Sequence, residues 1–312
     1  MNIPSASDFP LFVSFDEALT DLIRREADTW VSVPGGAPWN VARVMACFGV
    51  PSAFGGAISR DCFGDVLWQA SERAGLDLRF LQRPAKAPLL AIVHETHPPK
   101  YFFIGDDSAD LHFDVAALPA GWETAGRWAH FGCISLARQP LAGRLVSLAE
   151  RLHAQGVRIS YDPNYRAVMD ASYDPVLARM MAIADLVKVS EEDLRGLFRT
   201  QDEEGAFARL RAMNPAAPVL YTRGGEGAAL YADGKVWRAV PPAIRVVDSV
   251  GAGDCSLAGL LSSVLRHPEQ GWGEHLRASV AAGTGACLAA GATPPDEELL
   301  RRLAAEVRVS GG

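Results

Sequence analysis

The sequence predicts an α/β protein built on a doubly wound, mostly parallel sheet, and three observations carry that prediction. Short β-forming runs alternate with segments of helical period along most of the 312 residues. These runs end repeatedly in polar turn-formers, as strands do at the carboxyl edge of an open parallel sheet, where ligands bind. No internal repeat, low-complexity tract or linker divides the chain, so residues 1–312 are expected to form one domain, with any second unit inserted into it.

The elements follow in order. In PLAGRLVSLAERLHAQG, Leu141, Leu145, Leu148, Ala149 and Leu152 recur at helical spacing, and Gly156 supplies a stop. A strand over 158–161 comes next, closed by the turn-formers Asp162, Pro163 and Asn164. ADLVKVSEEDLRGLF repeats the arrangement: LVKV as strand, then Ser190 as N-cap with Asp193 three residues on in the manner of a capping box. PVLYTRGGEG is another buried strand ending in glycines, and in AALYADGKVWRAV the pair Asp233 and Gly234 marks a hairpin. One stretch departs from the pattern: PLLAIVHETHPPKYFFI gives two strand-like runs around a His- and Pro-rich turn, expected as an edge hairpin or part of a lid.

Composition excludes several function classes. A hydrophobic content of 49% supplies a large core, while 30 Lys and Arg against 37 Asp and Glu leave a net charge of -7 with no basic run. Neither nucleic acid nor a membrane surface is an expected partner, and a small-molecule substrate is. Five cysteines (Cys47, Cys62, Cys133, Cys255, Cys287) are odd in number and form no C-x-x-C, which points away from disulfides and zinc and towards the cytoplasm. The amino terminus shows no signal-peptide pattern, and no segment approaches 18 unbroken apolar residues. His94 and His97 lie in a strand-like turn without a third ligand nearby, so no metal site is expected there.

Chemistry concentrates in VVDSVGAGDCSLAGLLSSVL, residues 246–265. Gly251, Ala252 and Gly253 precede an apolar segment, so the loop ends at a helix amino terminus, where free N–H groups and the helix dipole attract phosphate. Asp254 in that position has two readings: a helix cap, or an acceptor for the proton of a hydroxyl brought beside a phosphate. Other nucleotide motifs are missing. There is no G-x-x-x-x-G-K-[ST]; Ser256 stands where a dinucleotide fingerprint needs its third glycine; and no H-R-D precedes a D-F-G.

DSVGAGD at 248–254 resembles the D-T-x-G-A-G-D signature of the ribokinase and fructokinase (PfkB-type) carbohydrate kinases. PGGAPWNVARVMACFGVPSAFGGAISRDCFGD is similar to the family's other signature, and DEALTD, SADLHF, DPNYR, KVSEED and TRGGEG fall in the family's order over nearly the whole chain. DPNYR leans towards fructokinase-like members.

The resemblance implies a ribokinase-like fold with a small β lid, discontinuous over approximately 22–35 and 87–104. It implies ATP and Mg²⁺ as cofactors, a sugar as acceptor, and a homodimer. Asp254 matches the catalytic base, and Gly251, Ala252 and Gly253 match the anion hole. Asp21, Gly35, Gly36 and Asn40 match sugar-binding positions, while Asn164 and Arg166 fall near phosphates or substrate. Ser190, Thr222, Gly224 and Gly227 match the nucleotide side, Asp193 a Mg²⁺ contact made through water, and Asp248 and Val250 a monovalent cation such as K⁺.

The departures are informative. Asp16 replaces a glycine, Asp193 stands where glutamate is usual, and Trp39, at a place often held by a small residue, is expected to narrow the sugar pocket. Ile104 and Gly105 occupy the place of a Tyr-Arg pair. Without that arginine a neutral sugar such as fructose is favoured over 2-keto-3-deoxygluconate. Nucleoside kinase and non-catalytic sensor remain as alternatives.

Overall fold

Runs rich in β-branched and aromatic residues become strands buried on both faces, and the amphipathic segments between them become the covering helices. The computed structural model describes residues 9–96 and 99–312; His97 lies outside the described residues. The chain opens with β1 (Phe12–Phe15), β2 (Leu19–Glu26), β3 (Thr29–Gly35), α1 (Ala37–Cys47), β4 (Ser52–Ala57) and α2 (Cys62–Arg73). It continues through β5 (Leu81–Gln82), β6 (Leu90–Thr96), β7 (Pro99–Ile104), β8 (Trp128–Gly132), α3 (Leu141–Ala154), β9 (Arg158–Asp162) and α4 (Asp174–Ile183). The carboxyl half holds β10 (Leu186–Ser190), α5 (Glu191–Phe198), α6 (Glu203–Met213), β11 (Val219–Thr222), β12 (Ala228–Ala232) and β13 (Lys235–Val240). Then come α7 (Ala252–Arg266), α8 (Trp272–Ala286), α9 (Glu297–Glu306) and β14 (Arg308–Gly311).

A ten-stranded sheet runs in the order β14-β13-β12-β11-β10-β9-β8-β1-β4-β5. From β11 across to β5 every pairing is parallel, and β12, β13 and β14 extend one side antiparallel. The expected fold class is thus the observed one. Alternation along each parallel strand splits the core in two. Val187 and Val189 point into the layer covered by α3 to α6, whereas Leu186 packs into the layer with Leu257, Leu260 and Leu261 of α7. Each fully buried side chain of this size stabilises the fold by about 1.5–3 kcal/mol. No helix among the described residues is long and apolar enough to cross a membrane.

A second sheet of four strands, in the order β3-β2-β6-β7, stands apart from the first. Its strands β6 and β7 form the antiparallel hairpin expected from 88–104, and β2 pairs parallel to β6 and antiparallel to β3. The first stretch of this sheet begins at Leu19, three residues before the boundary drawn from the sequence. One part of it is well covered, with Leu19, Leu89 and Ala91 packed on Ile134; Trp30, Phe102 and Ile104 are exposed.

Candidate active site

Helix α7 starts where Gly251 takes a left-handed conformation, φ 78°, and a Cβ there would also meet Cα of Ala292 at 2.7 Å. Asp254 sits in the first turn, but its side chain makes no cap: the N-cap position is Gly251, without a side-chain bond. Instead the buried carboxylate accepts through Oδ2 from Nδ2 of Asn40 at 2.9 Å. Of the two readings left by the sequence, capping is therefore excluded. Burial raises the Asp254 carboxyl above its ordinary range, opposed by the Asn40 hydrogen bond and by the charges of Lys188 and Arg166, while Glu17 adds to the rise.

Asn40 is delivered by α1, whose N-cap Gly36 has φ 113° and lies so close to Glu17 that a Cβ would stand 2.6 Å from its carbonyl. Its Oδ1 is buried and has no hydrogen-bond partner among the described residues. Asp21 reaches in from β2, and Gly35 on the paired strand β3 leaves the room: a Cβ there would meet Asp21 Oδ2 at 2.5 Å. Burial pushes the Asp21 carboxyl up to about 6 against the nearby charge of Arg166. Asp21, Asn40, Arg166 and Asp254 thus share one neighbourhood, although they come from β2, α1, the loop after β9 and α7.

The loop after β9 is wound tightly. Asn164 has φ 44°, its N–H donates to Asp162 at 3.0 Å, and Nη1 of Arg166 donates to the Asn164 carbonyl, the Asn164 side chain and the Tyr165 carbonyl. Beneath the loop lies Lys188 of β10, a buried ammonium 3.0 Å from Asp162 and 3.8 Å from Asp193. Burial works against that charge, and Asp162, Asp193 and Asp254 more than offset it, so the lysine is held protonated. Asp162 is itself pushed up to about 7, chiefly by burial.

Ser190 and Asp193 form the capping box the sequence predicts: the serine side chain accepts from the Asp193 N–H, and Asp193 Oδ2 accepts from the Ser190 N–H at 2.7 Å. Asp193 Oδ1 in turn accepts from the Tyr165 N–H at 2.7 Å. Both oxygens are thereby engaged in holding the loop to α5. Thr222 ends β11, with Gly224 at φ 51° and Gly227 at φ 95° forming the turn behind it. Asp248 accepts from the N–H groups of Val250 (3.0 Å) and Gly291 (2.9 Å), so the two expected neighbours are joined directly and Gly291 is drawn in beside them.

Two departures read differently in three dimensions. Trp39 does not narrow a sugar pocket: it is wholly buried and donates to Ser71 Oγ of α2 at 2.9 Å, because consecutive helical residues point about 100° apart and Asn40 takes the site-facing direction. At Gly105 a Cβ would meet Leu89 Cδ1 at 2.5 Å and Ser108 Oγ at 2.7 Å, so a larger residue there would have to displace these side-chain ends. The guanidinium that reaches this backbone is that of Arg138, which bonds the Gly105 carbonyl and Asp110. Asp16, for its part, accepts from the N–H groups of Gly132 and Ser135, tying β1 to the end of β8.

No group of three or more His, Cys, Asp or Glu side chains among the described residues is arranged to hold a bare metal ion. A strongly hydrated Mg²⁺ carried by nucleotide phosphates asks for few protein ligands, and that form is compatible with the site. The residues missed from the sequence are Lys188, inside the run LVKV, and its partner Asp162. The signal was a lysine in an otherwise apolar buried strand, a residue almost never buried without a partner.

Residues 10–299 match the pfkB family carbohydrate kinase profile. A fructokinase from Klebsiella pneumoniae is 30% identical over 80% of this chain and 83% of its own length. A solved fructokinase from Xylella fastidiosa with bound ATP has a TM-score of 0.85 at 25% identity, covering 96% of this chain and 99% of that one. A fructokinase double mutant from Vibrio cholerae, with fructose, ADP and potassium bound, has a TM-score of 0.82 at 26% identity, covering 95% and 99%.

Proposed function

This chain belongs to the pfkB family of carbohydrate kinases, and from that premise we propose that it transfers the γ-phosphate of ATP to a primary hydroxyl of a neutral ketose, fructose foremost. One observation carries the reading: Asp254, buried at the amino end of α7, spends one oxygen on Asn40 and takes no hydrogen bond from a described residue on the other. That oxygen is free to accept a hydroxyl proton as the new O–P bond forms. The unpaired Oδ1 of Asn40 and the carboxylate of Asp21 supply further acceptors for sugar hydroxyls, with Gly35 leaving room beside the Asp21 carboxylate and Gly36 letting the start of α1 close on Glu17.

The loop of Gly251, Ala252 and Gly253 receives the transferred group on its N–H donors and the helix dipole. Thr222, Gly224 and Gly227 line the nucleotide side, with Ser190 acting through the fold of its capping box. Arg166 offers the guanidinium edge not used on its own loop to phosphate or substrate. Charge neutralisation at the transferring phosphate is the chemistry that a Mg²⁺ carried in with the nucleotide would supply here. The second sheet serves as a lid over approximately 22–35 and 87–104 that keeps water from competing as acceptor. Its exposed Trp30, Phe102 and Ile104, which the register places on the side away from Asp21, form the face through which two copies pair. K⁺ is assigned to the loop where Asp248, Val250 and Gly291 meet.

A neutral acceptor is favoured because Ile104 and Gly105 bring no arginine to this place and Arg138 is committed to Asp110. A coupled ADP-release screen over fructose, other neutral sugars, 2-keto-3-deoxygluconate and nucleosides, with and without K⁺, tests this. Fructose is expected to give the highest kcat/KM. A higher value for the keto acid or a nucleoside would move the assignment to that substrate, and binding without ADP release would make the protein a sensor.

A further inference from the structure

We propose that Lys188 is a further phosphate-site residue, its ammonium forming a cationic floor beneath Gly253 while Asp162 holds it in place; this rests on the reading that the glycine loop receives the transferred phosphoryl group. The alternation of β10 aims Lys188, like Leu186, at the layer occupied by α7. Gly253 lies inside that helix and has no positive φ to require a glycine. What a Cβ there would meet is Lys188 alone, Nζ at 3.3 Å and Cε at 3.6 Å. The missing side chain therefore leaves the ammonium in direct contact with the loop, where any larger residue would cover it.

An ammonium has three N–H donors, and among the carboxylates of the described residues only Asp162, at 3.0 Å, is within hydrogen-bond distance; Asp193 is at 3.8 Å. Two donors are left over at an Nζ that stands 3.3 Å from the Cβ position of Gly253. Other charged or titratable groups facing the lysine are Asp254 on α7 and His130 on β8, whose imidazole burial holds neutral at a value of about 3; Arg166, in the loop after β9, faces the same Asp193 and Asp254. Without the lysine, Asp162, Asp193 and Asp254 would confront an incoming phosphate with uncompensated negative charge. With it, the floor of the site attracts the terminal phosphoryl group as charge develops on it in transfer.

The variants are Lys188→Met and, because removing one partner of a buried pair can unfold a protein, Lys188→Met/Asp162→Asn, which removes both charges together. ATP and ADP affinities are measured by calorimetry beside kcat and KM for fructose. The double variant is expected to fold, to keep KM for fructose within about threefold, to lose roughly 100-fold in kcat, and to lose most of the wild-type preference for ATP over ADP. A lysine with a merely structural role would not change that preference. A folded double variant with wild-type kcat and wild-type ATP-to-ADP ratio overturns the proposal. If wild type itself releases no ADP with any sugar, the reading of the glycine loop fails first, and the two failures are thereby told apart.

Discussion

The two sheets of this protein contribute to the candidate site in opposite ways. The ten-stranded sheet is covered on both faces, and it presents Asp162, Lys188 and the amino end of α7 from the middle of its parallel region. The four-stranded sheet has one small cluster, centred on Leu19, Leu89, Ala91 and Ile134, and leaves large apolar side chains in solvent. From it comes Asp21 alone among the site's acidic groups. On the proposed reading, charge that must be held in place during phosphoryl transfer is built on the thick scaffold, and a group that recognises the acceptor on the thin one. A thin sheet can move as a unit without disturbing the phosphate site.

The sharpest way to break that division is Asp254→Asn. It is expected to lower kcat by about 10²–10⁴-fold, the range for a lost general base, with ATP and fructose affinity retained in calorimetry. Near-normal turnover would remove the base assignment. Asp21→Asn tests the other side, and here KM for fructose is expected to rise on the order of tenfold while kcat changes less. A fall in kcat as large as that of Asp254→Asn would show that the two sheets do not divide the work.

The same residue gives the comparison a pH signature. Asp21 in the free protein has its carboxyl raised to about 6, so it is ionised above that value and loses acceptor strength as pH falls through it. In wild type, kcat/KM for fructose is expected to drop on an acidic limb near pH 6, and Asp21→Asn to abolish that limb. A limb unchanged in the variant would assign it to another group. The smallest effect on catalysis is expected on the outer face of the thin sheet. Phe102→Glu should convert dimer to monomer in sedimentation at micromolar concentration while kcat stays within about twofold, since an interface anchor contributes about 2 kcal/mol or more. An unchanged oligomeric state would place the pairing surface elsewhere.

Where the sequence was legible, the signal was local. Ser190 and Asp193 announce their capping box, Asp233 and Gly234 their hairpin, and the glycines before Asp254 a helix start, because each of these depends on residues within a few positions. The Lys188 contact was not legible in this way. Its partner Asp162 lies on the neighbouring strand, and only the parallel registration of β9 with β10 brings the two together. Trp39 misled for a related reason: it adjoins Asn40 in sequence, yet helical geometry sends the two side chains to different neighbours, Ser71 and Asp254. The lid segment over 22–35 was placed by resemblance, since β6, the strand that β2 joins in parallel, comes from a distant part of the chain.

The most direct test is a crystal structure with fructose and a non-hydrolysable ATP analogue. The account predicts an Asp254 carboxylate oxygen within about 2.6–3.2 Å of the primary hydroxyl, with the terminal phosphate on the N–H groups of Gly251 to Gly253. A sugar bound with its primary hydroxyl remote from Asp254, and that side chain still bonded to Asn40 alone, would contradict it.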